Sequence, residues 1–216
     1  MLEVKLECIR PDMEIHYTTD GSEPTATSPL YEKIVPVKEA LTLKGATFAH
    51  GRQMGKTLIL PVRWNLATAK PVLGTNPTEK LLTNGIRGSL KYSDFEWCSW
   101  ADNDSVSFTI DLLKPEMLNT LTLGCITNNG MAIHKPASVR VEVSDDNSKF
   151  REAVVQSFTS EEIFREGNFI ENLSLKLGGT QARYVRVTAK GPGVCPASHV
   201  RPGQTSRIFF DEVMLE

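Results

Sequence analysis

Four aromatic residues, Tyr92, Phe95, Trp97 and Trp100, stand in a polar stretch from Tyr92 to Asp104 that also holds Asp94, Glu96, Asp102, Asn103 and Asp104. An aromatic ring flanked by such groups can stack on the apolar C–H face of a pyranose while its neighbours bond the hydroxyls. Trp100 is the expected platform and Trp97 a second candidate; Trp100 could equally cover an apolar seam between modules. The stretch Thr127 to His134 adds Asn128 and His134 as polar readers. A late segment, Gly191 to Arg207, offers His199 and Arg201 but no aromatic residue. One or two stacking contacts correspond to dissociation constants of roughly millimolar order.

Other chemistries lack their residues. The sequence has no G-x-S-x-G elbow, no H-E-x-x-H pair and no phosphate-cradling glycine loop, and Gly191-Pro192-Gly193 reads as a turn. His16, His50, His134 and His199 are scattered without a nucleophile at a telling spacing, which suits surface or hydrogen-bonded roles. Cys8, Cys98, Cys125 and Cys195 form no C-x-x-C pair, so zinc is not expected, and isolated buried thiols are expected rather than disulfides.

The 216 residues carry 24 Lys and Arg against 26 Asp and Glu. That balance gives no basic footprint for nucleic acid and leaves neutral partners. No apolar run nears the roughly 20 residues of a spanning helix, so no membrane insertion is expected, and the first residues lack a secretory signal pattern.

The elements that must position these residues are strands. Apolar and polar residues alternate over 4–9, 41–48, 57–64, 106–112, 139–143, 183–189 and 208–214, with turn clusters between them, and only 160–167 suits a short helical turn. Within Glu14–Thr18, Ile15 and Tyr17 share one face opposite Glu14, His16 and Thr18. Asp20-Gly21 then supplies a turn and Pro24 stops further pairing, which predicts an antiparallel hairpin at a sheet edge. Alternation lapses between Trp64 and Pro71, which predicts a first domain over 1–65, a linker over 66–71 and a second domain over 72–216.

Two stretches of wording go beyond pattern. Tyr17-Thr18-Thr19-Asp20-Gly21-Ser22-Glu23-Pro24-Thr25, with Ser28-Pro29-Leu30-Tyr31 and Leu43-Lys44-Gly45-Ala46-Thr47-Phe48, resembles the β-sandwich module that follows the catalytic barrel of bacterial chitobiases and β-N-acetylhexosaminidases. Further on stand Leu81-Leu82-Thr83-Asn84-Gly85-Ile86-Arg87-Gly88-Ser89, Val106–Leu112, Val139–Asp146, Ala182–Val187 and Phe209–Val213. In that order they resemble a discoidin-type jelly roll, the coagulation factor 5/8 C-terminal type, whose bacterial members include carbohydrate-binding modules of family 32. The resemblance implies an all-β chain: a small immunoglobulin/fibronectin-like sandwich followed by a discoidin-like, galactose-binding-like jelly roll.

The pairing of modules resembles the C-terminal region of family 20 β-N-acetylhexosaminidases, as in the Bacteroides lineage. It implies a non-catalytic, weakly carbohydrate-binding appendage that targets a periplasmic or cell-surface glycosidase, monomeric, with the parent catalytic domain and glycans bearing N-acetylglucosamine, galactose or N-acetylgalactosamine as partners. The alternative is a structural spacer packing on the catalytic barrel. Asp211-Glu212 matches that family's adjacent catalytic pair in type only: neighbours on a strand point to opposite faces, and no barrel of about 250 residues is present to build the pocket. In similar modules a tryptophan at the place of Trp97 packs beneath the loop. The same resemblance implies a structural calcium ion held by Asn84, the Ile86 carbonyl, Ser89 and Glu212, with Asn84 and Ser89 in place of the family's aspartate and threonine.

Overall fold

The computed structural model describes residues 2–100 and 105–216. It divides into two compact units, Met1–Trp64 and Asn65–Glu216. Both are built from antiparallel strands, as the alternation predicts. Among the described residues no helix is long and apolar enough to cross a membrane.

The first unit contains β1 (Leu2–Val4), β2 (Glu14–Thr18), β3 (Val35–Val37), β4 (Leu41–Ala49), β5 (Arg52–Gln53) and β6 (Leu58–Val62). β4 is the centre of a sheet with β2, β5 and β6, while β1 pairs with β3. The turn after β2 has the expected chemistry: Asp20 Oδ1 accepts from the Ser22 amide at 3.0 Å, and Gly21 takes a φ of 80°. No regular strand follows it. The chain returns beside β2 only at Pro29–Tyr31, where Tyr17 N donates to Pro29 O and Tyr31 N to Ile15 O. β2 buries His16, not only its apolar face: the imidazole packs edge-on to Phe48 at 5.1 Å, and its Nδ1 lies 2.6 Å from Ser28 O. Ile15 and Tyr17 pack against a separate cluster of Leu6, Val35 and Leu43.

The second unit contains β7 (Val72–Leu73), β8 (Cys98–Trp100), β9 (Ser105–Asn128), β10 (Ser138–Ser144), β11 (Arg151–Ser157), the one-turn helix α1 (Ser160–Ile163), β12 (Asn168–Lys190) and β13 (Ile208–Leu215). The strand order is β11-β10-β12-β9-β13-β8, with β7 alongside β9. Two strands are far longer than the sequence pattern suggests, because each passes through a bend without losing its partner. β9 bends after Leu113, whose φ is 71° and whose amide is held by Asp111 Oδ1 at 2.8 Å. β12 has its own bend at Gly178 and Gly179, both at positive φ, where the register slips between Lys176 and Thr180; a second slip, between Ala182 and Tyr184, faces Leu113. On one side of the bends, 105–111 pairs with 184–190 and leads to β10 and β11; on the other, 120–128 pairs with 168–176 and leads to β13.

One apolar cluster takes residues from both halves, among them Phe108, Ile110 and Leu112, Val139, Val141 and Val143, Leu121 and Leu123, and Phe210 and Val213. Each such side chain contributes about 1.5–3 kcal/mol by leaving water.

Residues 66–71 are not a linker. Leu66 N donates to Leu215 O, Asn65 Oδ1 accepts from both Ala67 N and Leu215 N, and Ala67 is fully buried in the second unit's core. Alternation lapses there because an asparagine-led turn, rather than a strand, closes the core.

Candidate functional site

Trp100 does not form a platform. It is 8% exposed, stacked on Phe108 at 6.1 Å and edge-on to Phe210 at 5.7 Å, so it belongs to the core. Trp97 is likewise enclosed: its Nε1 donates to Ser89 O at 3.1 Å, and its ring fills the space that a Cβ on Gly88 would occupy. Neither tryptophan can stack on a ligand. Ala101, Asp102, Asn103 and Asp104 lie outside the described residues.

The exposed ring in this stretch is Phe95, 88% exposed and held at a φ of 70°. A bulky residue in the left-handed region is costly and uncommon. Asp94 accounts for the conformation. Its amide donates to Lys91 O, its Oδ1 accepts from Glu96 N at 3.0 Å and its Oδ2 accepts from Ser89 N at 2.6 Å, so the turn closes around Asp94 and throws Phe95 outward.

Three segments meet at Trp97, two residues on from Phe95. Trp97, Ile126, Ile133 and Phe209 form a small apolar cluster on which Tyr92 and Met131 pack. Tyr92 meets Phe209 edge-on at 6.1 Å, and the Arg207 guanidinium lies 5.7 Å from the same ring. Arg207 donates from Nη2 to Met131 O at 3.1 Å, while its Nε finds no partner among the described residues. Half-buried Asn128 begins the turn through Met131 and pairs its backbone with Ile133. Arg201 is exposed and reaches Gln204 Oε1 at 3.3 Å. His134 is fully buried and cannot meet a ligand at the surface. Sequence reasoning counted Phe95 among the four aromatics but chose Trp100 over it, and did not name Arg207; the signal for Phe95 was the Asp94-centred turn.

The residues named for a cation converge in part. Asn84 Oδ1 accepts from Ile86 N at 2.9 Å and its Nδ2 donates to Glu96 Oε2 at 2.9 Å. Glu212 Oε2 accepts from Gly85 N at 3.0 Å, whereas its Oε1 is buried. Ser89 Oγ accepts from Lys91 N at 3.2 Å. Burial pushes the Glu212 carboxyl up to about 9; the Gly85 amide opposes this, and neighbouring Asp211 adds to it. Burial also raises Glu96, against the Asn84 bond. Glu212 Oε1 makes no well-formed hydrogen bond, Asn65 being the side-chain donor that acts on it, and a carboxylate oxygen of this kind is the hard donor that calcium takes.

Asp211 and Glu212 do not diverge as neighbours on a regular strand would. Pairing of β13 with β9 is interrupted between Phe210 and Val213, and this bulge lets both carboxylates reach the 85–88 segment. Asp211 Oδ2 accepts from Arg87 Nε at 2.7 Å and from Gly88 N at 3.0 Å. Both acids are thus engaged in holding a loop. All four cysteines are free thiols; Cys98, Cys125 and Cys195 are buried, and burial pushes Cys98 up to about 12.

The chitobiase/beta-hexosaminidase C-terminal domain family matches residues 2–58, and the F5/8 type C domain family matches residues 67–200. Among solved structures, the CpGH89CBM32-6 module of Clostridium perfringens is similar at 18% identity over 71% of this chain and 98% of its own, with a TM-score of 0.46. The fucose binding module SpX-3 of Streptococcus pneumoniae follows at 17% identity over 71% and 97%, TM-score 0.43. The C-terminal domain of a chitobiase from Bacteroides fragilis shares 16% identity over 63% and 78%, TM-score 0.38. No curated protein matches the chain.

Proposed function

Because the chain belongs to the F5/8 type C family, carried by residues 67–200 behind a chitobiase/beta-hexosaminidase C-terminal domain, we propose that it is the glycan-binding accessory region of a β-N-acetylhexosaminidase. Neither domain is catalytic. The observation that carries the reading is Phe95, an apolar ring presented to solvent by a turn that accepts backbone strain to do so. Tyr92 and half-buried Asn128, on the segments that meet at Trp97, would supply polar groups of the kind a sugar requires. Amino-sugar glycans suit a partner domain of chitobiase type. Binding in the millimolar range gains by raising the local concentration of a tethered enzyme.

Calorimetric titration with N-acetylglucosamine, galactose, N-acetylgalactosamine and chitobiose, in calcium-containing buffer, tests the proposal. Saturable heat is expected for at least one of them, with affinity falling at least about tenfold in Phe95→Ala while the unfolding midpoint barely moves. Absence of heat at tens of millimolar would favour the spacer, a reading that the burial of Trp100 already supports.

We propose also that calcium occupies the oxygen cluster, with Glu212, Asn84 and the carbonyls of the 84–89 segment as ligands, Ser89 joining if its hydroxyl leaves Lys91. The ion would offset buried negative charge and close the rim. In chelator, the folded chain keeps a proton on Glu212 that the unfolded chain loses above the ordinary value of 4.5, so stability falls as pH rises from about 5 to 9. Glu212→Gln should flatten that slope and abolish any rise in unfolding temperature caused by calcium. Scanning calorimetry at pH 8 with and without calcium decides; equal calcium responses in both proteins would exclude the site.

A further inference from the structure

His134, Cys195 and His199 are far apart in sequence and were expected to act separately. In the fold all three are buried, and their ligand atoms lie within 4.8 Å of one another. Their neighbours leave them poorly satisfied. Neither ring nitrogen of His134 makes a well-formed hydrogen bond among the described residues, the Ile163 carbonyl being the one acceptor near enough to act on it. His199 has donors at both nitrogens: Arg201 N reaches Nδ1 at 3.0 Å, and Asn129 Nδ2 lies 3.3 Å from Nε2. The amide of Asn129 is oriented that way because its Oδ1 accepts from Gly167 N at 3.0 Å. A neutral imidazole accepts at only one nitrogen, so His199 is mismatched as well. Cys195 Sγ has Ser206 Oγ at 3.4 Å.

Two imidazoles and a thiol without adequate protein partners form a donor set that suits a borderline divalent metal and not calcium. We propose that His134, Cys195 and His199 form a zinc site that pins the late segment 191–207 to the turn at 129–134. Tetrahedral coordination brings such ligand atoms to about 3.3–3.6 Å from one another, so the three side chains would draw together by small rotations. Ser206 or a water completes the set. Burial, with the neighbouring His199, lowers His134 to about 4 against a weaker opposing pull from the Ile163 carbonyl, so its ring is neutral and ready to ligate at pH 7. Cys195 binds as the thiolate and releases its proton to solvent. The ring of Phe164 packs on both histidines, at 5.0 and 6.1 Å, and shields the site from one side. The site does not depend on glycan binding.

The test is a titration of the whole chain, stripped of metal, kept reduced and held in excess calcium, with cobalt(II) as the spectroscopic probe. One equivalent should give tetrahedral ligand-field bands and a thiolate-to-cobalt charge-transfer band, and zinc should abolish both. Cys195→Ser should remove the charge-transfer band, and His134→Gln should weaken cobalt binding at least about tenfold. If His134→Gln fails to fold by circular dichroism, the wild type and Cys195→Ser decide alone. Absence of the charge-transfer band in the wild type overturns the proposal. So does a band that Cys195→Ser leaves unchanged, which would assign the metal to the partly exposed Cys8.

Discussion

Trp100→Ala should destabilise the second unit by about 3–5 kcal/mol, enough to unfold much of the population at physiological temperature. The indole is almost wholly enclosed, stacked on Phe108 of β9 and edge-on to Phe210 of β13, so its loss opens a cavity between the two halves of the core. Neighbouring rings cannot close that space without leaving their own contacts. Urea denaturation followed by circular dichroism measures the effect. A loss under about 1 kcal/mol would show that the ring packs less tightly than described. Phe95→Ala is the control: an aromatic residue five positions earlier, expected to leave the midpoint nearly unchanged.

Arg87→Ala should cost a comparable amount, about 3–5 kcal/mol, because it leaves a buried carboxylate without its cation. Asp211 is fully buried, and its pKa is already raised by burial despite the guanidinium beside it. Without Arg87 the carboxyl rises further, so the folded variant holds a proton that the unfolded chain releases, and its deficit should grow with pH and shrink on acidification. Arg87→Ala combined with Asp211→Asn should recover part of the loss, since no charge is then stranded. A deficit that stays constant with pH would mean that the cost lies in lost packing. The backbone is shaped around this pair: a Cβ on Gly124 would stand 2.0 Å from Asp211 Oδ1 and 2.4 Å from Arg87 Nη2.

The sheet framework was legible because alternation is local. Phe108, Ile110 and Leu112, and likewise Val139, Val141 and Val143, point into the core as their spacing requires. The joining of short predicted strands into β9 and β12 was not legible, since it depends on bends that keep their pairing across positive-φ residues. Trp100 was misread because β8 spans three residues, too few to establish a period, and lies in polar company. His134 was misread because a histidine in a polar segment gives no sign of the Phe164 and His199 rings that enclose it. The chemistry at Asp211-Glu212 was hidden by a bulge, which no spacing rule reveals. In each case the missing information lay in contacts between segments distant along the chain.

The closing of the second unit by its last strand bears on how the chain is made. β13 covers the edge of β9 at Leu121, Leu123 and Cys125, and Leu215 bonds back to Asn65 and Leu66. During synthesis, β9 and β12 can pair while residues 208–215 are still in the ribosome, leaving that edge open with its backbone groups unpaired. The domain therefore needs Ile208–Leu215 before that edge of β9 is paired. For that interval the open strand edge is a part of the domain prone to join a neighbouring polypeptide.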